Sequence, residues 1–149
     1  MNKLERCRAA KAYHDRGFNC GQSVMEAFRD MTGLTEDQSR RIATGLGGGF
    51  RCGNICGAAS GAVLVLGMLH PHNEEDMAQK AATAKLVKEF IARFKAQFDG
   101  LLNCEELLPA KGLQGVAEVE QVGASKHCEA MIISAVAILY DYLEELSKE

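Results

Sequence analysis

The chain is expected to fold as an all-α, single-domain helical bundle of about six helices over residues 1–149. Three observations predict this class. Apolar residues recur at helical spacing, no segment alternates convincingly with period two, and preferred N-cap residues stand ahead of several apolar stretches. A length of 149 residues is enough for one domain with a core of its own, so the fold needs no disulfide staples.

The elements follow in order. The first helix is expected from Lys3 to Arg16, stopping at Gly17. The second begins at Asn19, with Gln22 as its capping-box partner, and ends at Gly33; its stripe Cys20, Val24, Ala27, Met31 faces the core. Thr35 and Gln38 form the same box for a third helix, which runs into Gly45, Gly47, Gly48 and Gly49. An apolar helix then extends from about Asn54 to Leu69, closed by Pro71. The longest helix, about Glu74 to Phe98, is capped by Asn73 and stopped at Gly100, with Met77, Ala84, Val87, Ile91, Phe94 and Phe98 as its stripe. A last helix from about Lys126 to Leu146 offers Cys128, Ile132, Ala135, Leu139 and Leu146 as the facing surface. Between these two, Pro109 to Ala124 shows no clear period, and it lies where it would form either a surface loop or a cover over a site near Cys104 and Cys128. Long apolar stripes of this kind would serve a homodimer interface as well as a core.

Composition removes several functions. A formal charge of −3 and the absence of tryptophan leave no basic stripe or stacking platform for nucleic acid. The N-terminus has charges throughout and no apolar signal region. The longest apolar run, Ile55 to Leu69, is short of the ~20 residues that span a bilayer. A cytoplasmic protein is expected, where a set of cysteines points to metal binding or catalysis rather than to structural disulfides.

The informative residues are cysteines. Cys20, Cys56, Cys104 and Cys128 each sit just inside an expected helix start, after Asn19, Asn54, Asn103 and Ser125. Unpaired N–H groups and the helix dipole at such a position favour a thiolate, the form that attacks disulfides and binds metal. Cys7 lies mid-helix beside Leu4 and Ala10 and reads as a small core residue. Cys52, one helical turn before Cys56, would be a resolving thiol or a further ligand, although the glycines around it favour neither. The run Gly45 to Gly49 follows a helix and lacks Gly-Lys-Ser/Thr, so it reads as a connector and not a nucleotide loop, with Arg51 a weak candidate for holding an anion. His70 and His72 read as solvated, His127 as a neighbour able to stabilise the Cys128 thiolate, and Ser134 as bonded to its own preceding turn.

Cys56-Gly57-Ala58-x-x-Gly61, with Cys20 upstream and Cys104 and Cys128 downstream, resembles the C_GCAxxG_C_C family of redox-active proteins over nearly the whole chain. Aligned on Cys56, the name's pattern has glycine, alanine and glycine where this chain has Ile55, Gly57 and Ser60. The resemblance implies a helical domain whose four cysteines have a redox or iron–sulfur role, with Gly57, Ala58 and Gly61 as the small residues beside a cofactor. Two chemistries compete for the quartet: four thiolates holding an iron–sulfur cluster for electron transfer, or dithiol–disulfide exchange by a metal-free oxidoreductase or sensor. A structural metal-binding interaction domain is the third reading. Either redox reading implies a partner protein that gives or takes the electrons.

Overall fold

The computed structural model describes residues 1–126 and 128–149. Among these residues the fold is all-α. Its six helices of seven residues or more are α1 (Lys3–Asp15), α2 (Cys20–Ala27), α4 (Glu36–Ile42), α5 (Gly57–Leu69), α6 (Met77–Gln97) and α9 (Glu129–Ser147). Three single α-turns accompany them, α3 (Arg29–Thr32), α7 (Cys104–Leu107) and α8 (Glu118–Gln121), with a 3-10 turn at Thr44–Leu46 and a π turn at Gly49–Gly53. None of these helices is long and apolar enough to cross a membrane.

Local chemistry sets several boundaries as expected. Asn19 with Gln22 and Thr35 with Gln38 form complete capping boxes at α2 and α4, and Asn2 with Glu5 forms another at α1. Other boundaries move for reasons that lie far away in sequence. The second expected helix breaks at Phe28, because Arg6 of α1 donates from Nη1 to the Ala27 carbonyl at 2.8 Å and lies over the Phe28 ring. Asp30 holds the same guanidinium at 2.6 Å. Helix α6 is capped by Asp76, whose Oδ1 accepts from the Ala78 N–H, and not by Asn73. Its first turns stand clear of the core: Met77 is 77 % exposed and Ala84 is exposed, whereas Phe90, Phe94 and Phe98 are fully buried.

Helix α9 carries an unbroken buried run, every residue from Met131 to Ala137. It packs on α1, α2, α5 and α6, and the apolar α5 packs in turn on α2, α6 and α9, so both helices lie inside the bundle. The segment after Pro109 folds back onto α9 through α8. There Ser134 Oγ accepts from the Val116 N–H at 3.1 Å, so this hydroxyl anchors the connection instead of bonding its own preceding turn.

The tightest helix contact joins α2 and α5. A Cβ on Gly61 would lie 2.8 Å from the Gly21 carbonyl oxygen, and one on Gly57 would lie 2.7 Å from that of Leu46. Real Cβ atoms do not approach backbone so closely, so glycine is required at both positions. Gly67, further along α5, faces open space. Gly61→Ala should therefore cost about 1–3 kcal/mol through forced separation of the helices, while Gly67→Ala should be neutral or stabilise by up to ~1 kcal/mol. Urea denaturation midpoints measure both; equal effects would mean that the α2–α5 contact is not the tight one.

Candidate functional site

Each of four chain segments delivers one cysteine to the same place. Cys20 is the first residue of α2, and its neighbour Asn19 ties that helix start to the chain after α4, donating from Nδ2 to the carbonyls of Ala43 and Thr44 at 3.1 Å. Cys56 occupies the N-cap of α5 because 54–56 is extended, not helical. The Cys56 N–H donates to Leu102 O at 2.9 Å and the Cys104 N–H to Asn54 O at 2.7 Å, around a bridge between Ile55 and Asn103. This pairing moves the start of α5 three residues past the expected Asn54 and locks Cys56 beside Cys104. Cys128 immediately precedes α9.

The four cysteines line one cavity of about 360 Å³, together with His14, Asn19, Gly47, Gly48, Arg51, Gly57, Leu107 and Met131. The Sγ atoms of Cys20 and Cys128 and a ring nitrogen of His14 all lie within 4.8 Å of one another, close enough to share one metal ion. A larger, open hollow of about 980 Å³ between α6 and α9 has no cysteine in its wall; His70 borders it.

Electrostatics in the cavity runs against the helix-start expectation. The Cys20 thiol is pushed far above its ordinary range, first by its hydrogen bond with Cys128, then by burial and by the three neighbouring sulfurs. Burial pushes Cys56 up to about 11. The N–H groups of Ala59 and Ala58 oppose that rise, although Sγ makes no capping hydrogen bond of ordinary geometry with them. Cys104 is raised by burial and by the charges of Cys128 and Glu105. Helix-start amides do favour the thiolate, but desolvation and mutual repulsion exceed them. Left to themselves Cys20, Cys56 and Cys104 stay protonated at neutral pH. A cation among them reverses the balance, because a coordinated thiol is deprotonated outright.

The model of the C_GCAxxG_C_C family, described as "Putative redox-active protein (C_GCAxxG_C_C)", matches residues 18–142. The chain belongs to this family. No curated protein and no solved structure matches it. The four cysteines of the family pattern fall inside the match, and Cys7 and His14 precede it.

The small residues divide. Gly57 lines the cavity, but Ala58 and Gly61 do not: Ala58 is fully buried in the core and Gly61 is in contact with Gly21. Close helix packing accounts for the smallness of Gly61, while the Ala58 N–H turns toward the Cys56 sulfur. Cys52 is exposed, 3.4 Å from the Gly49 carbonyl, and outside the cavity wall. The expected cover from Pro109 to Ala124 does not line the cavity either; Leu107 and Leu108, just before it, are the residues that do. His127 lies outside the described residues.

Two site residues escape the sequence reading. His14 lies one α1 turn beyond Ala10, on the buried side that Cys7 and Ala10 begin, and this spacing is its only signal. Glu129 follows Cys128 directly and is 1 % exposed; one of its oxygens accepts from the Lys126 N–H at 3.1 Å and the other lies 3.3 Å from His14 Nδ1. The Glu129 side chain turns back to the Lys126 N–H ahead of α9, and its second partner comes from α1.

Cys7 is enclosed in the core, with Sγ 3.9 Å from the Ile133 carbonyl, and burial pushes its pKa up to about 12. In the unfolded chain the thiol releases its proton near 9. Its contribution to stability is therefore complete below about pH 9 and is lost as pH rises from there toward 12. Metal-free Cys7→Ala protein should show a shallower alkaline loss of stability than the wild type, by up to about 1.4 kcal/mol per pH unit for one proton. Urea titrations at pH 8 and 10.5 measure it, and parallel losses in the two proteins would refute the assignment.

Proposed function

We propose that the protein is an electron-transfer module whose redox centre is an iron–sulfur cluster held by Cys20, Cys56, Cys104 and Cys128. The observation that carries this reading is the convergence of four thiols from four separate segments on one cavity of about 360 Å³. A site built only for packing would not gather groups that raise one another's pKa. The donor set fits: iron–sulfur clusters take four cysteine thiolates, and when bound they supply exchange of single electrons. The chain's own part is to hold the thiols on rigid helix starts and to keep water from the sulfurs with Leu107, Leu108 and Met131. Arg51 and the Ala58 and Ala59 amides offset the negative charge of a thiolate-bound centre.

The hydrogen bond between Cys20 and Cys128 favours a second reading. As a dithiol the pair would form one S–S bond, releasing two protons and passing two electrons to an oxidised partner.

Anaerobic purification followed by iron, sulfide and zinc analysis separates the possibilities. The expected result is coloured protein with iron and inorganic sulfide in fixed proportion. Cys56→Ser should reduce bound iron at least tenfold, whereas Cys7→Ser should leave it unchanged. Metal-free protein whose Cys20 and Cys128 cycle between thiol and disulfide would replace the cluster reading with the second one. Zinc without redox change would make the site structural.

A further inference from the structure

We propose that His14 is a non-cysteine donor to this centre on its Cys20–Cys128 side, and that Glu129 is the residue that positions it. The inference rests on the metal centre proposed above and adds to it a mixed nitrogen–sulfur ligation.

Three observations on the page lead there. His14 borders the cavity, and a ring nitrogen lies within 4.8 Å of both the Cys20 and Cys128 sulfurs. Its Nδ1 is 3.3 Å from Glu129 Oε2. A carboxylate can only accept, so Nδ1 carries the proton and Nε2 is left with its lone pair. Glu129 itself is 1 % exposed, an unusual place for a carboxylate. Its two oxygens are divided between the histidine ring and the Lys126 N–H, so the side chain bridges α1 to the start of α9 directly beside Cys128.

A buried carboxylate holding the far nitrogen of a histidine is the arrangement by which proteins fix the tautomer and direction of a metal-ligating imidazole. Burial for packing alone would have been met by an apolar residue at either position. Glutamate at 129 is explained when both oxygens have work, and histidine at 14 when its second nitrogen has a partner. Where the neutral imidazole takes the place of a thiolate donor, it lowers the negative charge on the centre and raises its reduction potential. The pair would thus set this chain's potential above that of a centre with cysteine ligands alone.

The test uses the full-length chain reconstituted anaerobically with iron and sulfide and then reduced. Pulsed EPR of the wild type should show a strongly coupled nitrogen, absent in His14→Gln, and the variant's midpoint potential should fall. Glu129→Gln keeps the shape but has one accepting oxygen for two donors. It should weaken binding of Co²⁺, added alone to metal-free protein, by about 10- to 100-fold. A cluster assembled on the wild type without a coupled nitrogen would overturn the role of His14 and leave the cluster standing. Protein that takes up no iron would overturn the cluster reading itself. Co²⁺ alone then decides the inference, and an affinity unchanged by both substitutions refutes it. If His14→Gln does not fold, the wild-type nitrogen signal and the Glu129→Gln titration still decide.

Discussion

The structure depends on how closely α2 and α5 approach. With no side chain on Gly21, Gly57 or Gly61, the two helices meet backbone to backbone, with the chain at Leu46 wedged against them. That contact places the start of α2 next to the start of α5 and so brings Cys20 beside Cys56. The same contact limits what the site can be. Helices this close leave a compact cavity at their first turns, where Cys56 is buried and Cys20, Cys104 and Cys128 are half-buried. Glycine in a helix costs about 1 kcal/mol relative to alanine, and three of them near one crossing show how strongly the approach is specified.

Burial then governs the chemistry of the sulfurs. A single cysteine at an exposed helix start would have its thiolate favoured, and the N–H groups of Ala58 and Ala59 exert that pull on Cys56. Four cysteines gathered in one cavity act on each other as well, and each thiolate formed makes the next harder to form. The helix-start argument holds for each residue taken alone and fails for the group. What the group can do is collect around positive charge.

Features set by neighbours in sequence were legible: the boxes at Asn19 and Thr35, the stop at Gly17, the all-α class and the four cysteines of the pattern. Features set by distant partners were not. The break at Phe28 depends on Arg6, the extended start of α5 on Leu102 to Cys104, and the buried state of Glu129 on His14. No periodicity in the α2 or α5 segment carries that information, because the decisive group is supplied by another helix. The small residues after Cys56 were legible as small but not as to purpose, since close helix packing and a cofactor wall ask for the same residue types.

Among the described residues, the longest run of left-handed backbone borders the cavity. From Gly48 to Arg51 four consecutive residues have positive φ, two of them Phe50 and Arg51. Non-glycine residues in that region cost on the order of 1–3 kcal/mol each, so the conformation persists only because its surroundings enforce it. Gly49 is pressed against Asn54, whose N–H donates to the Gly49 carbonyl at 3.0 Å, and Gly47 leaves room for the Arg51 guanidinium. The return for this strain is geometric. The turn delivers Asn54 to Cys56 in the extended form that pairs with Leu102 to Cys104, and it sets Arg51 in the cavity wall. A segment that served only to connect α4 to α5 could relax at no loss to the fold. Strain held against the wall of a four-cysteine cavity, in a bundle whose helices are otherwise regular, is what a site built for charge would require.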